Sequence, residues 1–248
     1  GEKSFPALIE YYAAREKDAN PLSKTFPDGA AWLDENGIFH QTSPQPLTPM
    51  EDLPFIYDEA GRMDGFKNRI IYYETSRGCP FSCSYCLSSI DKKLRFRPLD
   101  TVKKELAFFL EQRVPQVKFV DRTFNCKKSH AMAIWQFICD HDNGVTNFHF
   151  EIAADILDEE EIALLKTMRP GLVQLEIGVQ TANHDTIHSI NRKMDLARVA
   201  QVTEKIRQFH NIHQHLDLIA GLPLEDYESF GHSFDVVYQM KPSQLQLG

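Results

Sequence analysis

Cys79, Cys83 and Cys86 stand within the run Ser76-Arg77-Gly78-Cys79-Pro80-Phe81-Ser82-Cys83-Ser84-Tyr85-Cys86. Their C-x3-C-x2-C spacing lets three thiolates wrap one compact metal centre. A 4Fe–4S cluster takes four ligands, normally cysteines. Three leave one iron open, and an open coordination position is what a catalytic metal keeps for a substrate. A structural zinc site asks for a fourth ligand at knuckle spacing, whereas Cys126 lies forty residues beyond Cys86. Inert buried cysteines would not need Gly78 and Pro80 to shape a loop around them. The iron–sulfur reading is the strongest of the three.

The elements that must position this loop follow a regular alternation. Apolar runs at Ile70–Tyr73, Val117–Val120, Phe148–Ile152, Leu172–Val179, Ile212–Ala220 and Gln244–Leu247 are separated by stretches of helical periodicity. Val102, Leu106, Phe109 and Leu110 make one helical stripe behind a candidate cap, Asp100. Phe230, Phe234, Val237 and Tyr238 make another. Asp158 and Glu161 form the start of a capping box, with Pro170-Gly171 as the stop. Strands alternating with helices imply an α/β fold with a parallel sheet, doubly wound or an open barrel.

The strands favour the barrel. Parallel strands covered on both faces read as nearly continuous apolar runs, but here His149 and Glu151 share one face opposite Phe148, Phe150 and Ile152. Gln174, Glu176, Gly178 and Gln180 oppose Leu175, Ile177 and Val179. His213, His215 and Asp217 oppose Ile212, Leu216 and Leu218, and Gln244 and Gln246 oppose Leu245 and Leu247. A polar lumen is costly unless its groups pair with each other, with water or with a ligand. An open, ligand-filled barrel accounts for the pattern; a half-exposed sheet face is the plainer alternative.

Residues 1–66 read differently. They hold Pro21, Pro27, Pro44, Pro46, Pro49 and Pro54, a short helix from Phe5 to Tyr12, and a small hairpin in which Ala31–Leu33 and Ile38–His40 flank an Asn-Gly turn. This is a connector segment, with the core at 67–248. Across the chain, 27 Lys+Arg against 35 Asp+Glu leave a net charge of −8, which argues against a nucleic-acid surface. No run of about 18 apolar residues would span a membrane. Gly1-Glu2-Lys3-Ser4-Phe5 carries no signal-peptide stretch, so a cytoplasmic protein is expected.

The cysteine run, directly after the first core strand, resembles the radical S-adenosylmethionine (radical SAM) superfamily, and the resemblance extends to Leu247. It implies an open partial TIM barrel, a (β/α)6 radical SAM core with parallel strands, in which Cys79, Cys83 and Cys86 hold a 4Fe–4S cluster. It further implies that S-adenosylmethionine (SAM) chelates the fourth iron and is cleaved reductively to a 5′-deoxyadenosyl radical that abstracts hydrogen from a small-molecule substrate. A one-electron reductant such as flavodoxin or ferredoxin would supply the electron. By the same resemblance Tyr85 stands beside the adenine, and Gly221 and Leu222 of Asp217-Leu218-Ile219-Ala220-Gly221-Leu222-Pro223 cradle it. Glu176 and Gln180 lie near the ribose. Asp121, in Phe119-Val120-Asp121-Arg122-Thr123-Phe124, takes the SAM amino group in place of the Gly-Gly-Glu-type run found in many relatives.

Phe119-x-Asp121-x-x-Phe124 with Gly221-Leu222-Pro223 is similar to the cobalamin-linked branch, which includes the anaerobic magnesium-protoporphyrin monomethyl ester oxidative cyclases. That implies cyclase or methyltransferase chemistry, with cobalamin held by a preceding domain, since no D-x-H-x-x-G ligand motif occurs in these residues. The alternatives are a methylthiotransferase-like tRNA-modifying radical SAM enzyme and a non-catalytic iron–sulfur scaffold. His213 and His215 share the lumen face, but two histidines alone make a weak metal site. Cys126 either meets substrate or packs, Cys139 packs, and Arg192-Lys193 either pairs with a carboxylate of SAM or substrate or is solvated.

Overall fold

The computed structural model describes residues 1–15, 26–58, 62–66, 68–90 and 92–248; Pro21, one of the connector prolines, lies outside them. The chain divides into two compact units, Gly1–Leu53 and Pro54–Gly248. The division falls upstream of residue 66 because Tyr57 is buried in the apolar core of the larger unit and Phe55, Met63 and Phe66 pack against that core.

The smaller unit contains α1 (Ser4–Arg15), longer than the expected helix, and the antiparallel pair β1 (Ala31–Leu33) and β2 (Phe39–Gln41). Its turn is closed by Asp34, whose Oδ1 accepts from the Asn36 and Ile38 amides at 2.9 Å each, and by Gly37 at φ +75°. A positive φ is what the Asn-Gly signal anticipates.

The larger unit begins with β3 (Ile71–Tyr73), then a small antiparallel pair, β4 (Ser76–Arg77) and β5 (Arg95–Phe96), that brackets the cysteine loop. It continues α2 (Leu99–Glu111), β6 (Gln116–Phe119), α3 (Lys128–Asp140), β7 (Asn147–Ile152), α4 (Glu159–Thr167), β8 (Val173–Gln180), α5 (His184–Ser189), α6 (Leu196–Arg207), β9 (His213–Leu218), α7 (Tyr227–Gln239) and β10 (Gln244–Leu247). The six-stranded sheet has the order β10-β9-β8-β7-β6-β3, every pair parallel. A doubly wound sheet reverses its strand order at a switch point. This one runs in sequence order from edge to edge, the winding of a barrel, and no pairing of β3 with β10 closes it among the described residues. It is an open partial TIM barrel. No helix among the described residues is long and apolar enough to cross a membrane.

Packing follows the periodicities. Val102, Leu106, Phe109 and Leu110 of α2 are buried against the sheet, and along β8 buried Val173, Leu175, Ile177 and Val179 alternate with half-buried Gln174, Glu176, Gly178 and Gln180. The α4 capping box is complete: Asp158 Oδ1 accepts from the Glu160 and Glu161 amides at 3.0 Å, and Glu161 Oε2 accepts from the Asp158 amide at 3.0 Å. Two expectations are corrected. α2 starts at Leu99, one residue before Asp100, with Pro98 as its N-cap and no side-chain cap, and Asp100 lies in the first turn, where a carboxylate suits the helix N-terminus. On α7 only Val237 of the expected stripe is fully buried; Phe230 and Phe234 are half-buried, and Tyr238, 64% exposed, stacks on Phe234. Neighbouring β10 forms the sheet edge and is itself largely exposed.

Candidate cofactor site

The cysteine loop leaves β4 through Gly78, whose φ of +96° lies in the left-handed region that glycine enters without strain. Cys79 and Cys83 are buried, Cys86 is half-buried, and all three are free thiols. Each end of the loop is anchored. The β4–β5 pairing sets Ser76 opposite Phe96 and Arg77 opposite Arg95. Across the barrel mouth the turn after α5 straps the middle: Ser84 N donates to Ile190 O at 2.9 Å, and Asn191 Nδ2 donates to Ser82 O at 3.0 Å. Arg192 completes the strap, with Nη1 3.1 Å from Tyr85 Oη and 3.8 Å from Cys83 Sγ, and Nη2 donating to Gly178 O of β8.

An open cavity lies between this loop and the inner face of the sheet. Cys79, Cys83, Tyr85 and Cys86 form one side; Glu151, Glu176, Gly178, Gln180 and Asp217 form the other, with Arg122, Thr123 and Arg192 at the rim. The polar faces of β7, β8 and β9 therefore meet a cavity at Glu151, Glu176, Gln180 and Asp217, whereas Gln244 and Gln246 of the edge strand β10 are exposed. A Cβ at Gly178 would meet Gln180 Nε2, the mobile end of a side chain, so a larger residue there would displace the Gln180 amide. Gln180 itself has φ +73° at an irregularity where β8 parts from β9. Strained backbone of this kind collects at ligand sites.

Electrostatics on the sheet side are set by close carboxylates. Glu176 accepts from Lys118 Nζ at 2.9 Å and lies 2.8 Å from His149 Nε2; these neighbours hold its pKa down to about 2. Burial, and then the Glu176 charge, push Asp217 up to about 7 and raise Glu151 as well. Burial lowers His215.

Of the residues expected from sequence, the structure brings Cys79, Cys83, Cys86, Tyr85, Glu176 and Gln180 to one cavity. Gly221 and Leu222 follow β9 outside its lining; Gly221 is exposed with φ +81°, and Leu222 is buried. Asp121 departs from its expected role. It is 0% exposed, and its carboxylate accepts from Thr75 N at 3.0 Å, Thr75 Oγ1 at 2.7 Å and Ser76 Oγ at 2.6 Å. The carboxylate is consumed in fastening the chain just ahead of the cysteine loop. Cys126 is half-buried, with its thiol pushed by burial up to about 11, and Cys139 lies 3.8 Å from Thr167 Oγ1 on α3. Lys118 was missed, although a lysine between Val117 and Phe119 in an apolar strand is itself a signal for the polar face. Arg192 joins the site because α5 and its turn carry it back over the loop, a placement no local pattern encodes.

Burial raises the Asp121 pKa to about 6, against 3.8 for a free aspartate. The folded chain therefore holds this proton more tightly than the unfolded chain, and stability from this group is lost as pH rises from about 4 to about 6. Wild type is expected to lose stability relative to Asp121→Asn across that window, with a constant difference above it. Thermal melts of the two proteins from pH 4 to 7.5 test this, and a difference that stays flat throughout refutes it.

Three free thiols on one short loop, with one side of the cavity left to other donors, fit a cluster whose last iron is open. The chain matches the radical SAM superfamily over residues 73–237. It belongs to that superfamily. Membership implies a 4Fe–4S cluster and S-adenosylmethionine. The chain is similar to an uncharacterized methyltransferase of Pyrococcus horikoshii, 32% identical over 141 residues, covering 54% of this chain and 29% of that protein. It also resembles the 2-(S-pantetheinyl)-carbapenam-3-carboxylate methyltransferase of Streptantibioticus cattleyicolor, 25% identical over 231 residues, covering 78% and 31%. Among solved structures, the radical SAM methyltransferase TsrM from Kitasatospora setae, with cobalamin and a [4Fe-4S] cluster bound, superimposes with a TM-score of 0.74 over 98% of this chain and 49% of its own. At 17% identity that likeness shows the fold. The radical SAM chain thus spans about a third of the length of these curated relatives.

Proposed function

We propose that Cys79, Cys83 and Cys86 hold the 4Fe–4S cluster, and that the chain is the core of a cobalamin-linked radical SAM methyltransferase acting on a small-molecule substrate. The observation that carries this reading is the three-thiol loop facing a polar barrel wall, with Arg192 spanning the two. When bound, the cluster and SAM supply reductive cleavage of a sulfonium C–S bond. The residues of this chain bind and orient. Arg192 pairs with the SAM carboxylate, for which a guanidinium offers planar, charge-assisted donors. Tyr85, at the cavity edge, covers the adenine, and Gly221 and Leu222 extend that surface from the end of β9. Glu176 and Gln180 receive the ribose hydroxyls. Asp121 positions the loop.

Methyl transfer, in preference to oxidative cyclisation, takes its support from the names of the relatives above. Cobalamin is supplied by another domain, with the smaller unit, Gly1–Leu53, as the connector to it and Pro54–Gly248, in place of the expected 67–248, as the core. A one-electron reductant of the flavodoxin or ferredoxin class completes the system. The test is anaerobic reconstitution of the full-length protein with iron and sulfide, followed by reduction and addition of SAM. Cluster-dependent consumption of SAM is expected, with cobalamin copurifying; a cluster that forms but leaves SAM intact overturns the reading.

Arg192→Ala is expected to keep its iron and to weaken SAM binding about 10- to 100-fold, the loss of hydrogen bonds to a charged group worth about 1.5–3 kcal/mol. Equilibrium dialysis reads the affinity, and an unchanged value removes Arg192 from the binding site.

A further inference from the structure

A second set of ligand-type side chains lies deeper in the barrel. His149 of β7, Glu176 of β8 and His215 of β9 bring one ligand atom each to within 4.8 Å of one another. The register assembles them: Glu176 is paired with His215 across β8 and β9, and His149 with Gln174, two residues before Glu176 on the same face. His149 and His215 each precede a cavity-wall carboxylate by two residues, Glu151 and Asp217, so both imidazoles lie one side-chain layer below the cavity.

Three buried polar atoms here make no hydrogen bond: His149 Nε2, His215 Nε2 and Asp217 Oδ1. Distance is not the reason. His149 Nε2 is 2.8 Å from Glu176 Oε2, and His215 Nε2 is 3.0 Å from Asp217 Oδ1. Both imidazoles are more than nine-tenths buried, with side chains 8% and 7% exposed. Buried polar groups left without hydrogen bonds call for an explanation, and a bound ion is one. Glu151, Glu176 and Asp217 share this region with Lys118, Arg122 and Arg192, so the case for a cation rests on the two unpaired imidazoles beside Glu176 and not on the charge balance.

We propose that His149, Glu176 and His215 form a divalent transition-metal site, of the zinc or ferrous-iron class, beneath the cofactor cavity. Two imidazoles and one carboxylate are a donor set of catalytic zinc and of non-haem ferrous centres, both of which keep positions open. Glu176 and Asp217 reach the cavity wall, so the open positions face the cavity, and the ligand they suit is a carboxylate or hydroxyl oxygen of the substrate. Lys118 engages Glu176 Oε2 and is the competing cation; the carboxylate retains a second oxygen.

The site takes Glu176 as a ligand in place of its ribose role above, which then falls to Gln180; it does not otherwise depend on the radical chemistry, and its test reads zinc and iron separately. Full-length protein with its cluster assembled is titrated with zinc chloride, desalted and analysed for both metals. Wild type is expected to retain about one zinc per chain with iron unchanged. His149→Gln and His215→Gln are each expected to keep their iron and weaken zinc binding by more than about 100-fold, beyond what loss of a second-shell partner causes. No zinc in wild type, or equal zinc in the variants, overturns the proposal. Should a histidine variant lose its iron as well, Lys118→Met decides: removal of the competing charge is expected to tighten zinc about tenfold, and unchanged or weaker binding overturns the site.

Discussion

Cys83→Ala is expected to empty the protein of its cluster, iron falling from about four atoms per chain to below about one, with SAM cleavage lost in the same step. Cys83 is the central cysteine of the loop, buried, and the one that Arg192 approaches at 3.8 Å. Its side chain is small, so alanine leaves little cavity, and the fold is held by contacts elsewhere: the β4–β5 pairing and the strap from Ile190 and Asn191. Circular dichroism is therefore expected to match wild type while iron content collapses. Cys139→Ala is the matched control, because that thiol sits on α3 beside Thr167, away from the loop, and its removal is expected to leave iron unchanged. Retention of a full complement of iron by Cys83→Ala refutes the ligand assignment.

The largest expected stability effect lies behind the loop. Glu105 of α2 is 6% exposed and Arg97 is 5% exposed. Arg97 Nε donates to Glu105 Oε2 at 2.8 Å and Nη2 donates to Oε1, a bidentate pair, and Tyr73 Oη donates to Oε2 at 2.5 Å. The pair keeps Arg97 charged, and burial with the Glu105 hydrogen bond drives the Tyr73 hydroxyl far above the usual phenol range. Removing one partner of a buried ion pair costs about 3–5 kcal/mol, because the charge left behind stays out of water. Glu105→Ala is expected to lose that much in denaturant unfolding. The same pair also holds the residue that follows β5: the Arg97 amide donates to Thr75 O at 2.8 Å, just ahead of the cysteine loop. Slower cluster assembly is thus expected alongside the lost stability. A loss under about 1 kcal/mol would mean that solvent or a rearranged partner compensates Arg97.

Glu105 also marks where sequence reasoning ran out. The stripe Val102, Leu106, Phe109 and Leu110 was legible because burial recurs with the helical period. A glutamate on that face reads as an edge residue until Tyr73 of β3 and Arg97, just after β5, are seen to meet it. Gln214 is similar: it sits on the helix-covered face of β9 with Leu216 and Leu218, where its Nε2 donates to Thr203 O of α6 at 3.0 Å. The α7 stripe misled in the other direction, since periodicity shows which residues share a face but not whether anything covers it. Asp121 was read as a ligand from its place after β6, and its three donors from Thr75 and Ser76 come from the other side of the loop.

The chemistry of this protein was determined by local sequence: thiol spacing, a left-handed glycine and alternation along each strand are properties of neighbouring residues, so they survive without coordinates. The sequential barrel order was legible for the same reason, because strand and helix periods are local. What only the tertiary structure decided is which distant polar groups converge. Arg192 comes over the cysteine loop from the far side of the barrel mouth, and His149, Glu176 and His215 come together from three strands. Such meetings depend on strand register and on the path of connecting helices. A one-residue slip would turn His149, Glu176 or His215 to the opposite face of its strand, and no single segment records the register of its neighbours.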